Sequence, residues 1–485
     1  MSDHETFTQT TPLGTVGVTV LRHVIDVPAA FNVPYEGADP YVQQSFQDGF
    51  TPSYGSGLAF KGIHADGDLE FYCLTDRGPN GDGPRVPSLD GPGMMDSKIF
   101  PAPSFTPAIG IFRVGVRGAA LVSSLPIQIS ADLAASGLPL PHGTIGNSGE
   151  VPLHDALRFD SSGKAIFHAG GIDSEALAFD RKRNVLWVTD EYGPFLLKID
   201  PAAGLLLARY GPGGALPAIL ASRRANRGME GMAFDADTDT IHAFLQSPLS
   251  DGAAHYAGTG RVEKVERFAA FLRWVEFDPG SASTLRMLAY PLAAAQFADG
   301  RTGNAKLGDM VALGGGKFIV IEQGEGTHGH MFNKLMLVDT AAATDIGAAA
   351  FNPDTADLER SSMSGAPVNG ADWSAVTPLK KTELLSLNSI GWVAEKAEGL
   401  ALVDEHTLAM TNDNDFGMKT RVFDAIGNEL SDADVTLFEV DGAGNIVAGS
   451  AATDVVRVAR GAGRERPLSL WILSFERPLA SYGES

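Results

Sequence analysis

A pattern of a polar residue, an apolar strand, a turn, a second apolar strand and a polar exit residue occurs five times in this sequence. The clearest copy is SEALAFDRKRNVLWVTDE, in which Glu175 begins the first apolar stretch and Asp190 and Glu191 end the second. Because the two strands of such a unit are antiparallel, its starting and exit residues lie at the same end of a small sheet. Repeats of this kind are typical of a propeller or a solenoid. The starting residues are Ser56, Glu175, Glu230, Asp309 and Glu398, and the exit residues are Asp76, Asp190, Gln246, Glu322 and Asp413.

We expect an all-β fold, a β-propeller of six or seven four-stranded blades with loop insertions at the channel mouth. The repeats account for five blades, and strand-like segments near both ends and around 131–170 provide for one or two more. We predict a single propeller domain over 15–480, with a strand near 15–27 that closes the last blade, and a flexible segment over 1–14. The Gly- and Pro-rich stretch 77–107 is expected to be an irregular loop.

Composition excludes several classes of function. The chain has 485 residues and a formal net charge of −22, which argues against nucleic-acid binding because that function needs a basic face. Its single cysteine, Cys73, rules out an intrachain disulfide and a cysteine-based metal site. No apolar run is long enough for a membrane helix, and the N-terminus lacks the pattern of a signal peptide. We expect a monomer or dimer that acts on a small-molecule ester.

The acidic residues of the repeats predict a metal site. In a propeller, the first strand of each blade lines the central channel, so the starting residues converge at its mouth. Several carboxylates held together out of bulk water repel one another unless a cation offsets their charge. Oxygen ligands suit hard divalent cations, and we expect one or two ions of Ca²⁺ or Mn²⁺. The alternative is that each acid faces solvent or caps a neighbouring amide. The predicted ligands are Glu175, Glu230, Asp309, Glu322, Glu398 and Asp413.

Four further residues are candidates for catalysis. Arg77, at the exit of the first repeat, is placed to hold a phosphate or carboxylate, although a salt bridge to a nearby acid explains it equally well. Asp190 and Glu191 form the next ring of acids around the mouth. His330, with His328 in the same loop, is a candidate general base, and the alternative is an exposed pair of loop histidines.

Motifs of other hydrolases and of nucleotide-binding folds are missing. There is no GxSxG elbow, so a serine-hydrolase triad has no support. No Walker A or Rossmann glycine pattern occurs.

Seven segments resemble the family known as esterase-like activity of phytase, or phytase-like domain proteins. They are LTDRGPN (74–80), IFPAP (99–103), SEALAFD (174–180), VTDEYGPFLLKID (188–200), NRGMEGMAFD (226–235), KAEGLAL (396–402) and TNDNDFG (411–417). The resemblance implies a bacterial propeller, usually periplasmic or secreted, with metal-dependent chemistry on phosphate or related esters. A related propeller phosphotriesterase carries a binuclear metal centre at the mouth. A cytoplasmic location is expected instead if this N-terminus is native.

Two positions depart from the family pattern. Relatives often carry the motif LER where this chain has Glu322 followed by Gln323, and Gln246 stands where Glu is common. The second departure weakens one potential metal ligand.

The sequence is compatible with three functions. The first is a metal-dependent hydrolase of phosphate esters, with Arg77 steadying negative charge. The second is a carboxylester or lactone hydrolase on the same metal site, and the third is a non-catalytic propeller with a structural metal and partner-binding loops. A strongly acidic surface repels a highly charged substrate such as phytate, which favours a small or neutral ester.

Overall fold

The computed structural model describes residues 4–154, 165–327, 329–431, 433–463 and 466–483. Within these residues the protein is nearly all β, with three short α-helices at Pro40–Ser45, Val265–Phe268 and Asp357–Ser364. None of the helices in these ranges is long and apolar enough to cross a membrane.

Most of the strands form four-stranded antiparallel units, which we call blades, and the described residues contain five of them. Blade I consists of Gly57–Ile63, Leu69–Leu74, Ala108–Gly115 and Gly118–Pro126. Blade II consists of Ser174–Asp180, Val185–Asp190, Phe195–Ile199 and Leu206–Tyr210. Blade III consists of Met229–Asp235, Thr240–Leu245, Phe271–Asp278 and Ser283–Pro291. Blade IV consists of Met310–Gly314, Lys317–Glu325, Met331–Asp339 and Lys380–Ser386. Blade V consists of Leu400–Asp404, Thr407–Thr411, Ser469–Phe475 and Gly14–Asp26.

The first strands of the five blades surround a common channel. Each first strand contacts the first strands of the two neighbouring blades, and the contact between blades V and I closes the ring. One end of the channel is apolar and encloses about 410 Å³, to which every first strand contributes consecutive residues such as 58–60 and 177–179. The second strands of blades II and III are buried along their whole length. This arrangement is propeller-like, as the repeats predicted.

Blade V joins the two ends of the chain. Its strand Gly14–Asp26 pairs with Ser469–Phe475 over Val18–Val24, and its last two residues pair with blade I at Ala119 and Ala120. The predicted N-terminal closing strand is therefore confirmed. The preceding segment, expected to be flexible, instead forms an outer strand over His4–Thr11 that pairs with Gly14–Asp26, because its alternating residues match that edge.

A second β-structure, which we call the cap, covers the mouth of the channel. One sheet has the strands Gly81–Pro87, Met94–Phe100, Val151–His154, Glu439–Val440 and Ile446–Ala448, and a second pairs Met418–Phe423 with Val455–Arg460. These strands and the helix Pro40–Ser45 share a separate apolar core that includes Phe50, Ile99 and Phe438.

The remaining short strands form two small hairpins outside the blades and the cap. They are Gln128–Ser130 with Leu133–Ala134, and Ala253–His255 with Val262–Lys264.

The cap explains two differences from the sequence expectations. The stretch 77–107 is not an irregular loop, because its apolar residues pair and pack with segments that lie far away in the chain. The count of six or seven blades is not confirmed, since strands in the C-terminal region that were expected to form further blades belong to the cap in the described residues.

Closure of the ring by the N-terminal strand predicts a sharp difference between two deletions. Deleting residues 1–12 removes only an outer strand, and we expect a small decrease in the melting temperature. Deleting residues 1–26 also removes the strand that joins blade V to blade I, exposing two sheet edges, and we expect loss of the cooperative transition. Circular dichroism melts and size-exclusion chromatography of both proteins check this, and a cooperative melt of the longer deletion would contradict it.

Candidate active site at the channel mouth

A polar pocket of about 560 Å³ lies between the channel mouth and the cap. The blades supply one wall, and cap residues such as Lys98, Thr420 and Arg421 supply another. Its lining includes Arg77, Glu150, Asp173, Glu175, Glu191, Arg224, Arg227, Gln246, Gln323, Lys396, Glu398 and Asp415.

Three carboxylates meet in this pocket. One oxygen from each of Asp173, Glu175 and Glu191 lies within 4.8 Å of the other two. Asp173 precedes the first strand of blade II and Glu191 follows its second strand, and the amide of Glu191 donates to the carbonyl of Asp173 at 2.7 Å. Glu175 lies in an irregularity of the strand pairing between Ser174 and Leu177, and bulges of this kind redirect a side chain.

Glu230 and Glu398 add two buried acids at the starts of blades III and V. The Oε1 atom of Glu191 and the Oε2 atoms of Glu230 and Glu398 are buried without a hydrogen-bond donor. Burial raises the pKa of Glu175, Glu230 and Glu398 well above its usual range, and repulsion from the neighbouring acids raises it further. Attraction from Arg77, Arg227 and Lys396 offsets this effect only in part, and a cation held by oxygen ligands fits the orphaned atoms.

Arg77 contributes one fixed positive charge to this pocket. Its Nη1 atom lies 3.1 Å from Asp173 Oδ2 and 3.4 Å from Glu150 Oε2, and its guanidinium lies 5.7 Å from the centre of the Tyr192 ring. The two sequence interpretations of Arg77 therefore coexist: the side chain is salt-bridged and lines the pocket.

Lys396 contributes a second positive charge. Its Nζ atom lies 2.6 Å from Asp413 Oδ2, 2.7 Å from Asp415 Oδ1 and 3.9 Å from Glu398 Oε1. Asp413 also accepts a hydrogen bond from Ser53 at 2.8 Å, so this predicted metal ligand is already engaged.

The backbone is strained at the two residues Asp415 and Phe416, shortly after Asp413. Asp415 and Phe416 have φ of 48° and 52°, a left-handed conformation that costs about 1–3 kcal/mol for such residues. Phe416 packs edge-on against Phe105, with ring centres 5.3 Å apart, and this packing in the cap core holds the strained turn. The strained conformation thereby keeps Asp415 on Lys396.

Asp309 occupies the channel rather than the pocket. Its carboxylate accepts hydrogen bonds from the amides of Met310 at 2.8 Å and of Met232 and Leu400 at 3.2 Å. These amides belong to three different first strands, so Asp309 ties blades III, IV and V together. Its contacts give it a structural role instead of the predicted role as a metal ligand.

Glu322 also lies away from the mouth. It is fully buried and accepts hydrogen bonds from Tyr290 at 2.6 Å, from Gln296 at 3.0 Å and from Lys381. The next residue, Gln323, lines the pocket, since successive side chains of a strand point to opposite faces. The sequence therefore predicted the correct strand end, but the side chain that lines the pocket is that of Gln323 and not that of Glu322.

The remaining predicted residues are not part of the cluster. Asp190 is buried, and its Oδ1 accepts from the amides of Asp173 at 3.0 Å and Tyr192 at 3.1 Å, so it shapes the turn beside the site. His330 is exposed and does not line the pocket, and His328 lies outside the described residues.

Asp173, Glu150 and Lys396 were missed from the sequence. Asp173 stands two residues before Glu175, a spacing that places side chains on one face of extended chain and could have revealed it. Lys396 has the same spacing to Glu398. Glu150 comes from a distant loop and carries no comparable signal.

Comparison with known proteins gives one clear match. The family described as "Phytase-like: Esterase-like activity of phytase" matches residues 58–416, which include blades I to IV and the first two strands of blade V. No curated protein sequence matches the chain.

Two solved structures show a distant similarity. An α-L-arabinofuranosidase from Podospora anserina, in complex with cellotriose, is 9% identical, covers 94% of this chain and 97% of its own, and has a TM-score of 0.34. Hydrazine synthase from Kuenenia stuttgartiensis is 8% identical, covers 75% of this chain and 78% of its own, and has a TM-score of 0.29. Similarities at this level say nothing about function.

The buried acids predict how stability depends on pH in metal-free protein. Burial raises the pKa of Asp190 and Glu191 to about 7, whereas carboxyl groups of an unfolded chain titrate near about pH 4. The folded protein therefore binds these protons more tightly, and their contribution to the free energy of unfolding falls between about pH 4 and about pH 7. As the pH rises from 5 to 7.5 in EDTA, we expect the melting temperature of Glu191→Gln, measured by scanning fluorimetry, to fall by less than the melting temperature of the parent. Equal decreases would contradict this.

The contacts of Asp309 predict that the conservative substitution Asp309→Asn destabilises the protein. Asp309→Asn replaces one acceptor oxygen by an NH₂ group that faces a backbone N–H, leaving a buried donor unsatisfied. We expect the free energy of unfolding to fall by about 1–3 kcal/mol, measured by guanidinium chloride denaturation. Asp434→Asn, at an exposed turn of the cap, is the control and should change it by less than about 0.5 kcal/mol. A stable Asp309→Asn protein would refute the channel role.

Proposed function

Because the chain belongs to the phytase-like family described as esterase-like activity of phytase, we propose that it is a metal-dependent hydrolase of phosphate esters. The family description supports a hydrolase. The proposal that the hydrolase depends on a metal rests on the convergence of buried carboxylates with unpartnered oxygens at the channel mouth. Such an arrangement is costly unless a cation or a substrate group offsets it.

The residues that would hold a cation are the clustered acids. Asp173, Glu175 and Glu191 are close enough to share one ion, and Glu230 and Glu398 extend the acidic surface toward a second. All their ligand atoms are carboxylate oxygens, which suit Ca²⁺ or Mn²⁺. The sequence prediction of Glu175, Glu230 and Glu398 as ligands stays part of this proposal, with Asp173 and Glu191 added.

The protein groups around the cluster suit hydrolysis of an ester. A bound divalent cation lowers the pKa of a coordinated water and polarises a phosphoryl oxygen. Arg77 holds Asp173 in place and presents a fixed charge where negative charge develops on the substrate. The cap limits the substrate to what a pocket of about 560 Å³ admits.

Metal content is the first test of this proposal. We expect the purified protein to contain one or two equivalents of a divalent metal by elemental mass spectrometry, and to hydrolyse bis(4-nitrophenyl) phosphate with that ion. Glu398→Gln and Glu230→Gln should each weaken metal binding by about tenfold or more, since each loses a charged ligand. Absence of bound metal after incubation with excess Ca²⁺ and Mn²⁺ would refute the metal site.

Asp82→Asn is the matched control. Asp82 also lines the pocket, but it belongs to the cap and pairs with Lys98 at 2.7 Å. We expect its metal content and activity to remain near those of the parent. Activity on lactones but not on phosphate esters would replace the phosphate-ester proposal by that of a lactone hydrolase. A metal whose removal only lowers the melting temperature, with no activity on either class, would indicate a structural ion.

A further inference from the structure

Two arginines that line the pocket form no salt bridge to any acid in the described part of the chain. Arg224 and Arg227 lie in the loop that leads into the first strand of blade III, and both line the pocket wall. Gly228, the next residue, packs against blade II: a Cβ atom added there would lie 1.9 Å from the carbonyl oxygen of Glu191. The close approach that only glycine permits therefore fixes this loop beside the acidic cluster.

The partners of both guanidinium groups are neutral. Arg227 donates from Nη1 to the amide oxygen of Gln246, and Arg224 donates from Nη1 to the carbonyl of Gly303 at 2.7 Å. Within the described ranges neither arginine has a carboxylate within 4.0 Å. Hydrogen bonds of this kind orient the guanidinium groups without pairing either of them with a carboxylate.

Other cations of the same pocket are paired with acids. Arg77 bonds to Asp173 and Glu150, Lys98 to Asp82, Lys396 to Asp413 and Asp415, and Arg421 to Glu429 at 3.4 Å. Lys306 lies 3.6 Å from Glu395. The two loop arginines therefore differ from these neighbours in their chemistry, although all of them share one solvent-filled space.

The electrostatic environment of the pair favours an added anion. Burial lowers the pKa of Arg224, and the nearby charge of Arg227 lowers it further. Burial also lowers the pKa of Arg227, while attraction from Glu191 and Glu230 acts in the opposite direction. An anion between the two guanidinium groups would relieve both desolvation and mutual repulsion.

We propose that Arg224 and Arg227 form an anion subsite that holds a charged phosphoryl oxygen of the substrate next to the acidic cluster. This inference rests on the proposed function and names its substrate class: phosphate monoesters and diesters, which carry a negative charge, in preference to neutral triesters and lactones. The net charge of −22 led to the sequence-based expectation of a neutral ester. In a confined pocket, however, the charges of the lining residues act on the substrate more strongly than the distant charges of the protein surface.

Gln246 decides whether the subsite is charged. A carboxylate at this position would pair with Arg227 and cancel its charge, whereas the amide orients the guanidinium without neutralising it. The substitution Gln246→Glu therefore tests the charge of Arg227 while leaving the arginine itself in place.

Titration with inorganic phosphate tests the subsite. We expect calorimetry to show that Arg227→Gln, Arg224→Gln and Gln246→Glu each bind phosphate about tenfold or more weakly than the parent, at one pH and ionic strength. Arg421→Gln removes the same charge from a paired arginine of the same pocket and should change the dissociation constant by less than about twofold. Equal phosphate binding by all four variants, or no phosphate binding by the parent at millimolar concentration, would overturn the inference.

Kinetics on two substrates separates the subsite from the metal chemistry. Arg227→Gln should raise KM for bis(4-nitrophenyl) phosphate, an anion, by about tenfold and leave KM for neutral diethyl 4-nitrophenyl phosphate within about twofold. Equal changes for both substrates would overturn the subsite.

The two failures are distinguishable. If the parent binds no metal but phosphate binding still depends on Arg227, the metal proposal fails and the subsite stands. If metal binds and the ester is hydrolysed while the arginine variants behave as the parent, the subsite fails and the function stands.

Discussion

Closure of five first strands around one channel is the constraint on which the rest of this structure depends. The ring brings the starting residue of every blade to a small area, so a polar residue at that point meets polar residues from the other blades. Four of the five starting residues are acidic, and burial makes their mutual repulsion expensive. The protein manages this charge with salt bridges, backbone amides and, in our proposal, a bound cation.

Each part of the acidic set is offset in a different way. Asp309 is satisfied by amides from three blades, and Asp413 by Lys396 and Ser53, so neither requires a cation. Glu191, Glu230 and Glu398 retain an oxygen without a donor. Because buried carboxylates normally find partners, our proposal assigns these three unsatisfied oxygens to a bound cation.

The cap turns an open channel mouth into a pocket with two kinds of wall. Its strands come from three separated parts of the sequence, 81–100, 151–154 and 418–460, and share a core of their own, which holds the strained turn at Asp415 and Phe416. Enclosure keeps the pocket small and lowers its effective dielectric, so charges on opposite walls act strongly on whatever enters. In our proposal, Arg224 and Arg227 beside the acidic cluster would orient an anionic ester in this pocket.

The sequence by itself determined the repeat, the closing N-terminal strand, the family and three of the acids at the mouth, Glu175, Glu230 and Glu398. These follow from local pattern, because strand starts and turns are written in neighbouring residues. Only the tertiary structure decided that Gln323 faces the pocket instead of Glu322, that distant segments build the cap, and that Arg227 meets an amide while Lys396 meets two aspartates. A strand alternates with period two, so its pattern does not fix which phase faces the axis, and pairings across long stretches of chain leave no local signal.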